Sequence, residues 1–290
     1  MFAYAALITG IGLGSMYGLL ALGFHVTYAV SATVNFAQGS SMMLGAVFAY
    51  VFALRLGWPL PLAAAIALLL CAAYGVLVEL LAVRPFARRG SNAWLMATVA
   101  LGIVADNTVL FTFGKEPRGF QMPWAQGGVE IAGLHVSTLQ ILIPAFGLAL
   151  AFLLSTFTAR TRRGKAMLAV VQNPDAARLM GINVPVVISA AFAVSAAFAG
   201  AAGILIAPLF NVQADMGTVF GLKAFAVAIL GGIGSAWGVM LAGLLFGVVE
   251  ALITAVLGST YTQILTFALV IVALAIKPNG LFGRAEVKKV

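Results

Sequence analysis

The sequence predicts an all-α polytopic membrane protein, a helix bundle of about eight or nine spans. Three observations carry this. The 290 residues are 63% hydrophobic and 8% charged, with a mean hydropathy of +1.10, a composition that soluble domains do not have. Apolar runs long enough to cross a bilayer recur from end to end between short polar interruptions. The basic residues are gathered into three groups: Arg84, Arg88 and Arg89; Arg160, Arg162, Arg163, Lys165 and Arg178; Lys277, Arg284, Lys288 and Lys289. That is the pattern of the positive-inside rule, so the net charge of +8 points to a membrane and not to nucleic acid. No composition shift divides the chain, and residues 1–290 read as one domain. Cys71, the single cysteine, excludes an internal disulfide.

The first span is expected over about Tyr4 to Tyr28, uncleaved, with Gly10, Gly14 and Gly18 four residues apart on one face. Such spacing lets a second helix approach closely. Ser31 to Ser41, SATVNFAQGSS, is polar but uncharged. It is either a turn between spans or a broken-helix segment lining a path, because irregular backbone at membrane depth survives only in those settings. Spans two and three follow at about Met42 to Leu54 and Pro59 to Ala82, separated by Arg55–Trp58. Glu79 near the end of span three can pair with Arg84 or snorkel. Span four, about Ala93 to Phe113, carries Asp106 and Asn107 near its middle. An acid there must face protein or water, either hydrogen-bonded within the bundle or touching a solute.

Gly114 to Ser137 is a long loop in which VEIAGLHVS alternates weakly, as a small hairpin does. Span five covers about Leu139 to Phe157 and span six about Val184 to Ala207, the latter crowded with small residues that suit tight packing. After a loop at Pro208 to Phe220, a long apolar run is too long for one span. It breaks at Gly231 to Ser235, giving a short span seven and a span eight to about Val256 that contains Glu250. Span nine is about Tyr261 to Ile276. Gly12 to Gly18 echoes Gly232 to Gly238, although one heptapeptide in a glycine-rich chain is slight support for an inverted repeat. The three basic groups are assigned to the cytoplasm, which puts Trp124 outside and, if spans one and two are both real, the N-terminus outside as well.

The longest charged interruption is RTRRGKAMLAVVQNPDAARLMG, Arg160 to Gly181. Its second half predicts a short helix outside the bilayer. Asn173 can cap it, Pro174 suits the first helical position, Asp175 complements the dipole and Gly181 stops it. Ala176, Ala177, Leu179 and Met180 make a small apolar face, with Ala177 and Met180 expected on one side. Such a helix is either a docking element for a soluble partner or a loop helix lying on the membrane surface.

This stretch, TRRGKAMLAVVQNPDAARLMGINV ahead of a small-residue span, resembles the cytoplasmic coupling loop of permeases of bacterial branched-chain amino acid ABC importers. GSMYGLLALGFHVTYAV with VNFAQG, ELLAVRPFARRG, the glycine-rich run from Gly221 to Leu252 and KPNGLFGR are similar to further segments of that family, in the family's order. The chain is most similar to the shorter, N-terminally unextended permease of the pair. Gln38 departs from the pattern, since the family often has histidine there. The resemblance implies a type II importer bundle in the inner membrane. It also implies a second homologous permease, two ATP-binding cassette subunits and a periplasmic binding protein.

On that reading the ATPase-coupling loop spans about residues 158–183 and includes Arg163, Gly164, Asn173, Pro174, Asp175, Ala177, Arg178, Met180 and Gly181, with Arg178 available to a partner carboxylate. Asn35, Gln38, Asp106, Gly231, Gly232 and Gly234 are candidates for the translocation path. No cofactor is expected on this chain. Gly164-Lys165 lacks the upstream glycine and the following Ser or Thr of a phosphate-binding loop, so ATP would be bound by partner subunits. An ion-coupled secondary transporter using Asp106, Glu79 or Glu250 is the alternative, as is the same permease type for urea or amides. His25 and His135 are isolated and no metal-ligand spacing occurs, so neither a catalytic nor a metal site is expected.

Overall fold

The computed structural model describes residues 2–120, 127–131, 134–277 and 279–283. Trp124 and the basic residues Arg284, Lys288 and Lys289 lie outside the described residues. The bundle is built on α1 (Phe2–Ser31), α9 (Val184–Ile206) and α11 (Ala236–Leu257). In lipid there is no hydrophobic drive between helices, so close backbone contact through small residues holds them together. The glycine ladder of α1 does this as expected. A Cβ at Gly10 would sit 2.6 Å from the Val248 Cα, and one at Gly14 would sit 2.5 Å from the Gly243 carbonyl oxygen. On α9, Gly200 and Gly203 meet α2 (Gln38–Tyr50) at Gly45 and Met42, and Phe192 meets α3 (Leu60–Val78) at Gly75. The side chains left exposed at the periphery, such as Leu69, Phe111, Ile264 and Ile271, are apolar and face where lipid would be.

Among the described residues, seven helices are long and apolar enough to cross a membrane, and Met216–Gly231 (α10) is a shorter apolar helix. The remaining expected span is α2, which continues through one π turn, Val51–Arg55. A second π turn, Glu79–Val83, links α3 to the short α4 (Arg84–Ala87). The segment between Ser31 and Gln38 is a broken-helix segment, not a simple turn. Ala32 takes φ 52°, and by Gln38 the chain has climbed back beside Leu20. Those eleven residues of α1 correspond to roughly 16 Å along its axis. α2 and α10 both begin inside the bundle, where Gly39 touches Gly217 and Gly221. Of the two similar heptapeptides, Gly12 to Gly18 lies within α1, and Gly232 to Gly238 forms the turn into α11.

α5 (Trp94–Phe113), α6 (Thr138–Arg160) and α12 (Ser259–Ile276) complete the bundle. The expected hairpin is present as β1 (Gly128–Ile131) and β2 (Leu134–Ser137), antiparallel with Glu130 opposite His135. Ser137 then starts α6 with a capping box, in which its backbone N–H donates to the Gln140 Oε1 at 3.1 Å. Ser31, Arg84, Arg88 and Arg178 line one cleft, so the first two basic groups share an end of the bundle. Lys277 joins the same end through the 279–283 segment, where the Leu281 N–H donates to the Leu230 carbonyl at 2.6 Å.

Candidate functional site

Two places concentrate polar groups that the bundle does not need for packing. The first is the segment after α6. The sequence reading sees only its second half as helical, but α7 (Arg162–Gln172) precedes it. The Thr161 hydroxyl caps α7 by accepting from the Gly164 N–H at 2.9 Å. Gly164 is buried and lies so close to the end of α6 that a Cβ would meet the Thr158 Cα at 2.5 Å. Arg163 stands exposed beside it.

α8 (Pro174–Leu179) follows with the expected ends. The Asn173 Oδ1 accepts from the Asp175 and Ala176 N–H groups, both at 3.0 Å, and Pro174 takes the first helical position. Gly181 adopts φ +82°; its N–H donates to Arg178 and that of Ile182 to Ala177, a Schellman closure.

One expectation about this helix is corrected. Ala177 is 3% exposed and belongs to the protein's own core, whereas Leu179 and Met180 are 90% and 83% exposed. Ala177 and Met180 do not form one docking face, because the first is covered by the protein itself and the second stands in solvent. Met180 is the C-cap of α8. Arg178 donates to the Asp175 Oδ1 at 2.9 Å across one turn, with both side chains exposed.

The second place is a cavity of about 240 Å³ between α1, α2, α5 and α10. Asp106 of α5, Ser40 at the start of α2 and Thr218 at the start of α10 supply its polar lining. Phe24, Phe36, Ile103, Leu222 and Phe225 are among its apolar residues. Ser40 spends its hydroxyl on the Gly102 carbonyl at 3.2 Å. The Thr218 hydroxyl reaches the Asp106 Oδ2 only at 3.4 Å, and the Asp106 Oδ1 is enclosed with no hydrogen-bond partner.

The other path candidates lie elsewhere. Gln38 is fully buried. Its Nε2 donates to the Ser195 carbonyl at 3.0 Å, and its Oε1 accepts from the Ser195 hydroxyl at 2.9 Å, so it clamps α2 to α9. Asn35 is fully buried too. Its Oδ1 accepts from the Ala37 N–H, while its Nδ2 has no partner. Gly231, Gly232 and Gly234 sit in the turn between α10 and α11 at the basic end. There Gly231 packs on Gly238 and Val239, Gly232 meets Gly283, and Gly234 is open. His25 is a satisfied interior histidine, its Nδ1 donating to the Ile233 carbonyl at 2.7 Å.

The intramembrane acids other than Asp106 are paired. Glu79 takes a two-pronged contact from Arg84, at 2.9 and 2.8 Å, and a hydrogen bond from Ser189 at 2.9 Å. Glu250 meets Lys223, with Tyr17 beside the ammonium at 3.4 Å. Lys223 stands outside the three basic groups of the sequence. Its signal was a single positive charge in one apolar run and a single negative charge in the next.

A multi-pass bundle with two internal helix starts and a capped, exposed helix at its basic end defines a membrane transport subunit. The chain belongs to the family described as the permease component of the branched-chain amino acid transport system, whose model matches residues 6–274. It is 33% identical to the high-affinity branched-chain amino acid transport system permease protein LivH of Escherichia coli K12, over 98% of this chain and 96% of that one. It is also 33% identical to the corresponding protein BraD of Pseudomonas aeruginosa, over 98% and 97%. The fold matches a chain of PsaBC from Streptococcus pneumoniae in complex with Fab, with a TM-score of 0.52 at 14% identity, over 96% of this chain and 93% of that one.

Proposed function

We propose that this chain is one permease of an importer that moves branched-chain or related amino acids into the cytoplasm, powered by separate ATP-binding cassette subunits. The observation that carries the reading is family membership over nearly the whole chain. The proposed assembly adds a second homologous permease, two ATPase subunits and a periplasmic binding protein, in a bacterial inner membrane. The basic end faces the cytoplasm. ATP and any cofactor chemistry belong to the partners, since neither Gly-Lys pair, Gly114-Lys115 or Gly164-Lys165, has the upstream glycine or the following Ser or Thr of a phosphate-binding loop.

The mechanism follows from the placement of α7 and α8. α7 is seated on the end of α6 through Gly164, and α8 leads through Asn183 into α9. A push on α8 from closing ATPase subunits therefore enters α6 and α9 together. α9 packs on α1, α2 and α3, so its displacement moves the elements around the internal helix starts. Ion coupling has less to work with, because Glu79 and Glu250 are neutralised by Arg84 and Lys223. The test is reconstitution with the partner subunits in proteoliposomes. Uptake of labelled leucine should require ATP inside the ATPase compartment and ignore dissipation of proton and sodium gradients. Uptake that collapses with the gradient and ignores ATP would refute the reading.

A further inference from the structure

We propose that the cavity between α2, α5 and α10 holds the solute in transit, and that Asp106 receives its ammonium group. This rests on the reading of the chain as an amino-acid permease. Asp106 lies in the middle of a membrane-crossing helix, where an ionisable side chain is costly unless it has work or a partner. Its neighbours on α5 are satisfied within the helix: the Asn107 Nδ2 donates to the Ile103 carbonyl at 2.8 Å and the Thr108 hydroxyl to Val104 at 2.7 Å. Asp106 is not. The Ser40 hydroxyl stands beside the carboxyl but is aligned on the Gly102 carbonyl, the enclosed Oδ1 accepts no aligned hydrogen bond, and the contact of Thr218 to Oδ2, at 3.4 Å, is long for a hydroxyl donor. A buried polar atom left unmatched is destabilising, so a carboxylate kept in this state fits a visiting donor.

The kind of donor follows from the walls. A bare divalent cation needs about six or more oxygen ligands, and among the described residues no cluster of three metal-binding side chains exists. α10 supplies no cation to the lining, its Lys223 being paired with Glu250. Apart from Ser40, Thr218 and glycines, the rest of the lining is aromatic and aliphatic, including Phe24, Phe36, Ile103, Leu222 and Phe225. An organic ammonium carrying an apolar side chain matches both halves of that surface. A neutral amide or urea would leave the carboxylate's charge unanswered. At about 240 Å³ the space is below the range of drug-sized pockets, roughly 300–1,000 Å³, and suits a small solute.

The experiment uses the full transporter in proteoliposomes with saturating binding protein. It compares wild type, Asp106→Asn and Asp106→Glu for labelled leucine uptake, and it measures how much ATPase subunit each retains. Asp106→Asn should cut uptake at least tenfold while retaining the ATPase subunits, and Asp106→Glu, which keeps the charge, should transport more than Asp106→Asn. Uptake by Asp106→Asn within twofold of wild type would overturn the proposal. So would Asp106→Glu as inactive as Asp106→Asn, or loss of the ATPase subunits from Asp106→Asn, since both describe a carboxylate that only holds shape. If the wild-type assembly shows no ATP-dependent amino-acid uptake, the permease reading itself fails, and that result is distinct from any behaviour of the variants.

Discussion

Lys223 of α10 and Glu250 of α11 meet inside the bundle with Nζ 2.5 Å from Oε1, and both residues are buried. The Tyr17 ring of α1 lies under the ammonium, 5.7 Å from its centroid. Three helices are thereby tied at one depth, one of them the short helix that starts at the cavity. Removing one member of a buried pair leaves an unanswered charge and costs about 3–5 kcal/mol, whereas replacing both by apolar residues of similar volume is often neutral. Lys223→Met and Glu250→Met should each lower thermal stability in detergent sharply, and the double variant should recover most of the loss. The measurement is a double-mutant cycle on unfolding temperature; additive losses would show that the two groups do not act as a pair.

The glycine ladder between α1 and α11 allows a sharper comparison. A Cβ at Gly14 would press on backbone, 2.5 Å from the Gly243 carbonyl oxygen and 2.8 Å from the Leu244 Cα, so the helices would have to separate. At Gly12, two residues away, the nearest atom would be 3.7 Å off, in ordinary contact. Overpacking of this kind costs about 1–3 kcal/mol. Gly14→Ala should therefore destabilise the purified protein clearly while Gly12→Ala stays close to wild type, as read from thermal unfolding in one detergent. Equal behaviour of the two would mean that α1 and α11 are not seated through Gly14.

Orientation can be tested with the protein's own chemistry. Cys71, the single cysteine, is fully buried, so a Cys71→Ala background is free of reactive thiols. Arg163 is exposed at the basic end, and Trp58 is exposed beyond the π turn after α2. With the basic end cytoplasmic, a membrane-impermeant maleimide applied to whole cells with a permeabilised outer membrane should label Trp58→Cys and spare Arg163→Cys. The reverse pattern would invert the topology.

The parts of the fold that sequence reading recovered are those written in local chemistry. The ends of α8 follow from Asn173, Pro174 and Gly181 alone, and the α1 contact follows from a four-residue glycine repeat. Depth is not local. The segments Gln38–Tyr50 and Met216–Gly231 have the apolar character of spans, and nothing in their composition says that they begin inside the bundle at a Gly39–Gly217 contact. Pairing is not local either. Asp106 and Thr218 are brought together only by the crossing of α5 and α10, and Gln38 is taken out of the cavity by Ser195, far along the chain. α7 was missed because its basic residues mask an apolar stripe of which only Gly164 and Val170 are fully covered.

The exposed end of α8 bears most directly on energy coupling. Leu179 and Met180 stand side by side in solvent, two large apolar side chains beyond the basic end of the bundle. Their exposure has no use in the isolated chain, and a small apolar anchor entering a cleft is how a few residues carry most of an interface's energy. Leu179→Asp and Met180→Asp each place a charge at that contact without touching a span, so both proteins should accumulate in the membrane and unfold at the wild-type temperature. Both should lose the ATPase subunits on purification and transport at a small fraction of the wild-type rate. Ala177→Asp must behave differently, because Ala177 lies in the protein's own core, where an unpaired charge costs several kcal/mol. It should lower the stability of the permease itself, and its loss of partners would report that damage. Arg178→Ala removes only an exposed pair with Asp175, worth about 1 kcal/mol or less, and should retain both partners and uptake. Co-purification and uptake at wild-type levels in Leu179→Asp and Met180→Asp would show that α8 is a surface loop helix and that the push from the ATPases enters the permease elsewhere.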